Sequence, residues 1–527
     1  MVIRKSGKKV IPLIGTLALL GSASLGGLGF RVAPAATHYP KLTFKGTITM
    51  YASAYTPLLP GQKPTPGVKP VVALDNAAKA FEKLYPGIHI EFLPNTSTEG
   101  TNQWYETEGA AGQLPDISWV QGPYVNIDYP KGLFTDLLPY FQQPNPFIPG
   151  NKKWINTMNP EAVDSSIVPG VKAGTTGVYA VDGDWEGFGF WYNKALFKEA
   201  GITKPPTTWG QLVTDSQELK AHGIDPGATF GAPIYNWFAH IFQPNALGAS
   251  RMRTILGVKG NTAGAVTSEE NAYFYNHYGD WLNPSKDPAL IDWWPAAKAL
   301  LSTWDPATID VTETNASTAP SPYSLFTSQQ VAMVYVEGSD MPKLVYALPK
   351  KHQFPFGMFN PTSVMGTSKY ATNLVTYQDV GGPYVGFQFA ISTHLADSTM
   401  TPAKFKAALA WLQFITTPHW DQTIVNEEEN AIPIIKGTTA PPVDRTFQQA
   451  IDKYPFWSLS AFDTMTSTSF DTIDGLFLEY VNGFISFKTA EKEYDADAAQ
   501  IVAQFDSQNA GLMAKFTQQE NARLGIK

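Results

Sequence analysis

The stretch Val178–Lys220, VYAVDGDWEGFGFWYNKALFKEAGITKPPTTWGQLVTDSQELK, determines how the rest of this 527-residue chain is interpreted. Within it, Gly187–Tyr192 (GFGFWY) is a short apolar run with glycines where neighbouring backbone must come close, which predicts a buried strand. Asn193 is expected to cap a helix that ends at Gly201, and Thr208 to cap a second helix. The segment therefore predicts a strand followed by two helices, with an aromatic and acidic loop before the strand.

The N-terminal part of the chain predicts the same kinds of element. The segment GTITMYAS is expected to form a first strand, and DNAAKAFEKLYPGIHIEFLPN shows helical spacing followed by alternation. The helical stripe comprises Ala77, Ala80, Phe81 and Leu84, and the alternating residues are Ile88, Ile90 and Phe92. Strands that alternate with helices indicate an α/β class with largely parallel sheets.

The string YNKALFKEAGI, followed by PPTTWGQL, closely resembles a segment of the extracellular solute-binding proteins of ABC importers. The resemblance is to the family that includes maltose- and oligosaccharide-binding proteins. Its specificity comes from the order of several further segments, which are LPDISWVQGP, GLFTDLLPYF, LFTSQQVAMVYVEGS, GGPYVGFQFAIS and FKAALAWLQFITTPHWDQTIVNEEENAIPIIKG. It covers roughly residues 44–510.

The resemblance implies a two-lobed periplasmic-binding-protein fold, type II-like, with a ligand cleft between lobes joined by hinge crossings. A length of 527 residues agrees, since it exceeds what one compact core usually needs. The expected organisation is a signal peptide at 1–35, lobe 1 at 36–184 plus 362–440, and lobe 2 at 185–361 plus 441–527, with an inserted helical region at about 246–304. The resemblance places the crossings near 183–187, 360–383 and 437–445.

Composition restricts the class of partner. The net charge is −8, and there is no basic cluster outside the extreme N-terminus, which argues against nucleic-acid binding. Aromatic residues make up 13% of the chain, and flat rings suit stacking on sugar faces, although most of them are expected to be core. Charged residues, at 16%, fall below the usual share of about 25%. One hypothesis for this low charge is an acidic habitat.

The N-terminus predicts secretion across the cytoplasmic membrane. Four basic residues precede an apolar, glycine-rich run at Val10–Phe30, and Ala33 and Ala35 provide small residues for signal peptidase. Cysteine is absent, so no lipid-modified cysteine follows the signal, unlike in many relatives from single-membrane bacteria. The expected location is the extracellular face or the periplasm.

Candidate ligand-binding residues follow from the places where strands end. Ligands of open α/β sheets bind outside the carboxyl ends of the strands, and sugars combine an apolar ring face with a rim of hydroxyl groups. Aromatic, carboxylate, amide and hydroxyl side chains that leave predicted strands are Tyr51, Ser53, Tyr55, Trp119, Gln121, Glu337, Ser339 and Asp340. Further candidates are Asp184, Trp185 and Glu186 in the first crossing, Tyr384 after the double glycine, Trp237, and Trp457 in the C-terminal part. Among them, Glu186 falls where the resemblance implies a carboxylate that accepts sugar hydroxyls.

Several of these positions also have structural interpretations. Trp119 lies in an alternating pattern that fits core and pocket about equally, whereas Trp185 follows an acidic loop and favours a pocket. Asp182 and Asp184 fit turn capping, the commoner role of Asp beside Gly. The run Glu427–Glu429 is expected to face solvent at the end of a helix. Trp293 and Trp294 are expected to pack within the inserted region.

Three classes of function are compatible with this sequence. The first, implied by the resemblance, is a monomeric sugar- or oligosaccharide-binding protein that closes on its ligand and delivers it to the ABC permease, with the ATPase involved only indirectly. A second is a binding protein for a non-sugar solute, and a third is a secreted glycoside hydrolase, whose two carboxylates would come from separate loops. Against an enzyme, the chain has no GxSxG, HExxH, phosphate-loop or cysteine motif. We expect no cofactor and no metal.

Overall fold

The computed structural model describes residues 39–63, 70–95, 101–120, 125, 128–159, 168–169, 176–185, 188–230, 238, 264–265, 268–278, 283–286, 291–310, 321–337, 340–359, 386–428, 431–442, 445, 457–458, 465–466 and 469–526. All of them belong to one of the chain's two structural units, Tyr39–Lys527.

The elements alternate along much of the chain, as the α/β interpretation predicts. The strands are β1 (Gly46–Tyr51), β2 (Ile88–Phe92), β3 (Ile117–Trp119), β4 (Val168–Pro169), β5 (Thr176–Gly177), β6 (Val181–Asp182), β7 (Asp184–Trp185), β8 (Phe188–Asn193), β9 (Asp225–Phe230), β10 (Gly264–Ala265), β11 (Ile309–Asp310), β12 (Val331–Glu337), β13 (Phe356–Phe359), β14 (Gln388–Ile391), β15 (Ile432–Pro433) and β16 (Trp457–Ser458). The helices are α1 (Ala73–Leu84), α2 (Asn102–Ala111), α3 (Leu138–Phe141), α4 (Lys194–Glu199), α5 (Trp209–Ala221), α6 (Ser268–Tyr278), α7 (Trp294–Leu301), α8 (Pro322–Thr327), α9 (Asp340–Ala347), α10 (Pro402–Ile415), α11 (Pro418–Glu428), α12 (Ser469–Val481), α13 (Phe487–Gln508) and α14 (Ala510–Leu524).

Two five-stranded sheets organise the described residues. The first has the order β2-β1-β3-β14-β6, and the second has the order β11-β9-β12-β8-β13. In each sheet three neighbouring strands run parallel, whereas β14 in the first sheet and β8 in the second run antiparallel to their neighbours. The prediction of largely parallel sheets therefore holds for the three-strand groups β2-β1-β3 and β11-β9-β12, and the sheets as wholes are mixed.

The chain passes from the first sheet to the second within a few residues. It leaves the first sheet with β6 and enters the second with β8, and between them β7 pairs with β15. Gly183 lies in this passage, and a Cβ atom on it would lie 2.2 Å from the ring of Phe387. Only glycine fits such a close approach.

The capping residues predicted within Val178–Lys220 act as expected. The Asn193 Oδ1 accepts hydrogen bonds from the backbone N–H groups of Ala195 and Leu196, and the Thr208 Oγ1 accepts from the N–H of Gln211. Gly201 has a φ of +79°, the left-handed conformation expected after a helix. Local capping chemistry therefore fixes the beginnings of α4 and α5.

Helix α1 buries a stripe that differs at its end from the predicted one. Ala77 and Phe81 are fully buried, but Leu84 is 39% exposed, so its place in the inner stripe was wrong. The buried face instead begins with Leu74, one turn before Ala77. Beyond the helix, the ring of Tyr85 packs on Phe81, with centroids 4.9 Å apart. Leu84 is the last residue of the helix, so no further turn carries the stripe onward.

The tryptophans of the predicted inserted region pack as core. Trp293 and Trp294 are almost fully buried, with rings against Phe477 of α12. Trp304 fills the space above Gly227 on β9, where a Cβ atom would approach its ring to 2.5 Å. The segments around these residues form α6 and α7, as expected from their composition.

Glu427 lies at the end of α11, as predicted, and is half-exposed, but it also caps α1, a role that the sequence did not predict. Val72 precedes α1 and offers no side-chain acceptor, so the first N–H groups of the helix need one from elsewhere. One carboxylate oxygen of Glu427, on α11, accepts hydrogen bonds from the N–H groups of Val72 at 2.8 Å and Ala73 at 2.6 Å. Glu427 therefore connects two segments about 350 residues apart.

Replacing Glu427 with alanine is expected to lower the free energy of unfolding by about 1 kcal/mol, the usual loss for a helix cap. Urea denaturation would measure the change. Glu427→Gln retains an acceptor oxygen and serves as the matched control, with a smaller expected loss. Equal stability of Glu427→Ala and wild type would contradict the capping role.

Two buried carboxyl groups have raised pKa values. Burial, reinforced by a hydrogen bond with Asp397, raises the pKa of Asp116 to about 6, although Lys404 opposes the shift. Burial also raises the pKa of Asp128 to about 7; Lys131 lowers it and Glu106 raises it. Since each folded-state pKa lies above the ordinary value of 3.8, the folded protein holds extra protons between about pH 4 and pH 7.

Stability is therefore expected to fall as the pH rises through this window and to level off above about pH 7. We predict that the thermal midpoint at pH 5.0 exceeds that at pH 7.5 by at least about 2 °C. The variant Asp128→Asn cannot ionise at this position, so its pH difference is expected to be smaller. A midpoint that is lower at pH 5.0 in the wild type would contradict the prediction and would count against an acidic habitat.

Candidate ligand-binding site

The carboxyl edge of the first sheet brings several predicted residues together. Strand β1 is parallel to both β2 and β3, so Tyr51, the residues after Phe92 and the end of β3 at Trp119 share one edge. Strand β14 is antiparallel to β3, with Phe389 opposite Trp119, so its beginning lies at the same edge. Ligands of open α/β sheets bind at such edges.

Tyr51 ends β1 with its side chain buried, only 2% exposed. Its hydroxyl donates a hydrogen bond to the Oδ1 atom of Asn95, 3.3 Å away, and its ring lies 5.4 Å from the ring of Trp104. Ser53 follows in a short 3-10 turn and has a φ of +48°, which is unusual for a residue with a side chain. Strained backbone at a strand end is typical of ligand-binding loops.

Trp119 is half-buried, which agrees with the open choice between core and pocket. Its indole N–H donates to the carbonyl oxygen of Gly386 at 2.5 Å, which ties the end of β3 to the start of β14. The hydroxyl of Tyr105, on α2, donates to the backbone carbonyl of Trp119. The indole is therefore held in place while part of its surface stays accessible.

Asp184 anchors neighbouring segments through buried hydrogen bonds, whereas the sequence suggested only turn capping. Its side chain is fully buried, and its Oδ1 atom accepts from the N–H groups of Gly386 at 2.8 Å and Phe387 at 2.7 Å. Its Oδ2 atom accepts from the hydroxyl of Tyr55, itself 2% exposed. One carboxylate oxygen thus holds the segment before β14, and the other holds the turn after β1, against the passage between the sheets.

Trp185 lies in the core, in contrast to the expectation that a pocket position leads. It is 1% exposed and belongs to the hydrophobic cluster beneath the first sheet, with β7 paired to β15. Although an acidic loop precedes Trp185, the residue lies in β7, which pairs with Ile432 and Pro433 of β15, and its side chain packs in that cluster. We therefore assign Trp185 a packing role in this structure.

In the second sheet, the backbone places two further candidates near one edge. Glu337 ends β12 and pairs with Phe188 at the start of the antiparallel strand β8, and Asp340 begins α9 directly afterwards. This edge also receives the carboxyl ends of β9 and β11. Trp457 lies elsewhere, in the two-stranded sheet that β16 forms with β10. Gln121, Glu186, Trp237, Ser339 and Tyr384 lie outside the described residues.

Two further residues contact Tyr51 at the first edge, Asn95 and Trp104, and neither was among the predicted candidates. Asn95 follows β2 and is exposed, and Trp104 lies in the first turn of α2, where the Thr101 Oγ1 accepts from its backbone N–H at 3.2 Å. A signal was present, since β2 was predicted and residues that follow a strand of a parallel sheet belong to its carboxyl edge. The start of α2 was not recognised, which left Trp104 without a position.

The described residues contain no cluster of His, Cys, Asp and Glu that could hold a metal ion. None of the helices in the described ranges is at once long and apolar enough to cross a membrane.

The combination of two mixed sheets and the edge site is that of a solute-binding protein. The chain belongs to the family of bacterial extracellular solute-binding proteins, whose model matches residues 67–421, more than half of its length. Members of this family are binding proteins. No curated protein sequence matches the chain.

Solved structures with a similar fold agree. They include a chitin oligosaccharide binding protein, with a TM-score of 0.55 and 18% identity, over 88% of this chain and 99% of that one. The GacH receptor of Streptomyces glaucescens GLA.O matches with a TM-score of 0.56 and 17% identity, over 88% and 98%. The maltose-maltodextrin binding protein of Alicyclobacillus acidocaldarius matches with a TM-score of 0.55 and 14% identity, over 86% and 100%. At these identities the likeness establishes the periplasmic-binding-protein fold.

Proposed function

We propose that this chain is the substrate-binding component of an ABC importer and that it binds a sugar or oligosaccharide. The observation that carries the proposal is the carboxyl edge of the first sheet, where Tyr51 contacts both the half-buried indole of Trp104 and the exposed amide of Asn95. Flat apolar surfaces beside uncharged hydrogen-bonding groups suit a sugar, which has an apolar ring face and a rim of hydroxyls. The similar structures include a chitin oligosaccharide binding protein, the GacH receptor in complex with acarbose, and a maltose-maltodextrin binding protein.

The mechanism that we propose is closure of two lobes, one built on each five-stranded sheet. The lobes comprise 36–184 plus 362–440 and 185–361 plus 441–527, with an insertion at about 246–304. A ligand that contacts both lobes favours the closed form, because only that form makes both sets of contacts. Closure then presents the protein to the permease subunits, and the chain itself performs no catalysis.

The proposed cleft takes contacts from both sheets. The first sheet supplies Tyr51, Ser53 and Trp119, and the second supplies Glu337 and Asp340 near the ends of its strands. From the sequence resemblance, we add the candidates outside the described residues, which are Gln121, Glu186, Trp237, Ser339 and Tyr384, and we retain Trp457. The protein is proposed to act as a monomer outside the cytoplasmic membrane, after removal of residues 1–35.

Thermal unfolding against a ligand panel tests the proposed function. The panel contains mono- and oligosaccharides, with polyamines, amino acids, phosphorylated polyols and metal ions as controls. A ligand that binds only the folded state raises the midpoint by mass action, so we expect a rise with one class of sugar, recovered unchanged. A rise only with a non-sugar would overturn the carbohydrate assignment, and degraded sugar would favour a glycoside hydrolase.

Glu186 is the carboxylate to which the proposal gives the largest share of sugar binding. Glu186→Ala is expected to raise the dissociation constant at least about tenfold, because a bound sugar hydroxyl would lose a charged acceptor. Calorimetric titration measures the change, and Glu186→Gln, which retains one acceptor oxygen, is the matched control. A Glu186→Ala protein that binds as tightly as wild type would remove this assignment.

A further inference from the structure

We propose that Trp104 and Asn95 together form a subsite for one pyranose ring, in which the indole face stacks on the apolar face of the ring and the Asn95 amide donates to a hydroxyl. The proposal rests on the proposed function and assigns residues that sequence reasoning did not select.

Two aromatic rings contact the Trp104 indole. The Tyr51 ring has its centroid 5.4 Å away with the planes at 55°, and the Tyr105 ring has its centroid 5.0 Å away with the planes at 65°. The first contact is tilted and the second is edge-on, so no aromatic ring of the described residues stacks parallel on the indole. Trp104 packs against the hydrophobic cluster that contains Tyr105 but is only half-buried. A large flat ring at the ligand edge therefore keeps part of its surface accessible.

The Trp104 indole is held in a fixed orientation. The Thr101 Oγ1 caps the backbone at Trp104, and the rings of Tyr51 and Tyr105 contact the indole. Tyr105 is also anchored, since its hydroxyl donates to the carbonyl of Trp119. An indole whose orientation is fixed before binding loses little conformational entropy when a ligand stacks on it. This arrangement distinguishes the ring from a scattered surface aromatic, which needs no explanation.

Asn95 supplies a hydrogen-bond donor beside the Trp104 ring. Its Oδ1 atom accepts from the Tyr51 hydroxyl, which fixes the orientation of the amide and assigns the Nδ2 group as the remaining donor. Within the described part of the chain, that NH₂ group has no hydrogen-bond partner, and Asn95 is exposed. Because the Tyr51 ring contacts Trp104 and the Tyr51 hydroxyl contacts Asn95, Tyr51 links the stacking surface to the donor. Apolar face and donor are the two elements that recognise a pyranose.

Substitutions of graded shape test the stacking surface. The variants Trp104→Phe, Trp104→Leu and Trp104→Ala are titrated calorimetrically with the sugar that raises the thermal midpoint of the wild type. Phenylalanine keeps a flat ring and leucine keeps apolar volume without one, so we expect dissociation constants to increase in the order wild type, Phe, Leu and Ala, with Leu at least about tenfold weaker than wild type. Trp420→Leu, at another half-buried tryptophan on α11, is the control and is expected to bind like wild type.

If Trp104 only packs, the sugar affinity of each variant would follow its thermal midpoint without ligand. Trp104→Leu and Trp104→Phe proteins of equal stability would then bind the sugar equally, and this result would overturn the stacking assignment. Asn95→Asp tests the donor, since it keeps an acceptor for Tyr51 but removes the amide N–H groups, and unchanged affinity would overturn that half. If the wild type binds no sugar, the proposed function fails, whereas tight binding by all Trp104 variants rejects only this subsite.

Discussion

Replacing Lys404 with methionine is expected to lower the free energy of unfolding by about 2 kcal/mol at pH 7.5, since an Asp116 carboxyl with a pKa of about 6 takes up a proton at that pH at about that cost. The Lys404 ammonium lies 2.5 Å from the Oδ1 atom of Asp116, whose side chain is fully buried, and it also donates to the Thr399 hydroxyl at 2.9 Å. Methionine fills similar volume but leaves the Asp116 carboxylate without its cation. The N–H and hydroxyl of Thr49, which donate to its other oxygen, compensate only in part.

The same cluster predicts how this loss depends on pH. Removing the cation raises the pKa of Asp116 further, because Lys404 lowers it in the wild type, as the backbone N–H of Thr49 also does. A neutral carboxyl needs no cation, so the loss in Lys404→Met is expected to shrink at pH 5.0. Urea denaturation at both pH values measures it, with Lys406→Met, an exposed lysine on the same helix, as control. A loss below about 1 kcal/mol at pH 7.5 would contradict the account.

Replacing Asp184 with alanine is expected to produce a larger loss, about 3–5 kcal/mol. The substitution removes three hydrogen bonds to a buried carboxylate and leaves the N–H groups of Gly386 and Phe387 and the hydroxyl of Tyr55 without that acceptor. It also leaves a cavity between the passage and β14. Because these groups lie beside the site edge, ligand affinity is expected to fall as well.

Two variants separate the contributions at Asp184. Tyr55→Phe removes one hydrogen bond and keeps the ring against Phe387, so a loss of about 1–2 kcal/mol is expected. Asp184→Asn keeps one acceptor oxygen and is expected to fall between Tyr55→Phe and Asp184→Ala. Urea denaturation measures the series. A Tyr55→Phe loss as large as that of Asp184→Ala would show that the two backbone N–H groups contribute nothing.

Local chemistry made much of the fold predictable from the sequence. The caps at Asn193 and Thr208 and the alternation in β2 depend on neighbouring residues, and the structure agrees with each. The order of segments in the chain identified the family through the same local signals. Errors occurred where a distant segment decides the outcome. Glu427 was expected to face solvent, and its role as the cap of α1 was missed because α1 lies far away in sequence.

The site was less predictable for the same reason. Asp184 and Trp185 follow one another in an acidic loop, and only the pairing of β7 with β15 determines that both are buried. Trp104 was overlooked because the boundary of α2 depends on a single threonine cap. Residues directly after predicted strands, such as Tyr51 and Trp119, were located correctly at the sheet edge, since strand ends follow from local pattern.

The decisive test of sugar binding is calorimetric titration of the purified protein with the sugar that raises its thermal midpoint. We expect saturable binding of one sugar per chain, with the sugar recovered intact. Absence of saturable heat with every sugar of the panel, or recovery of cleaved sugar, would contradict this expectation.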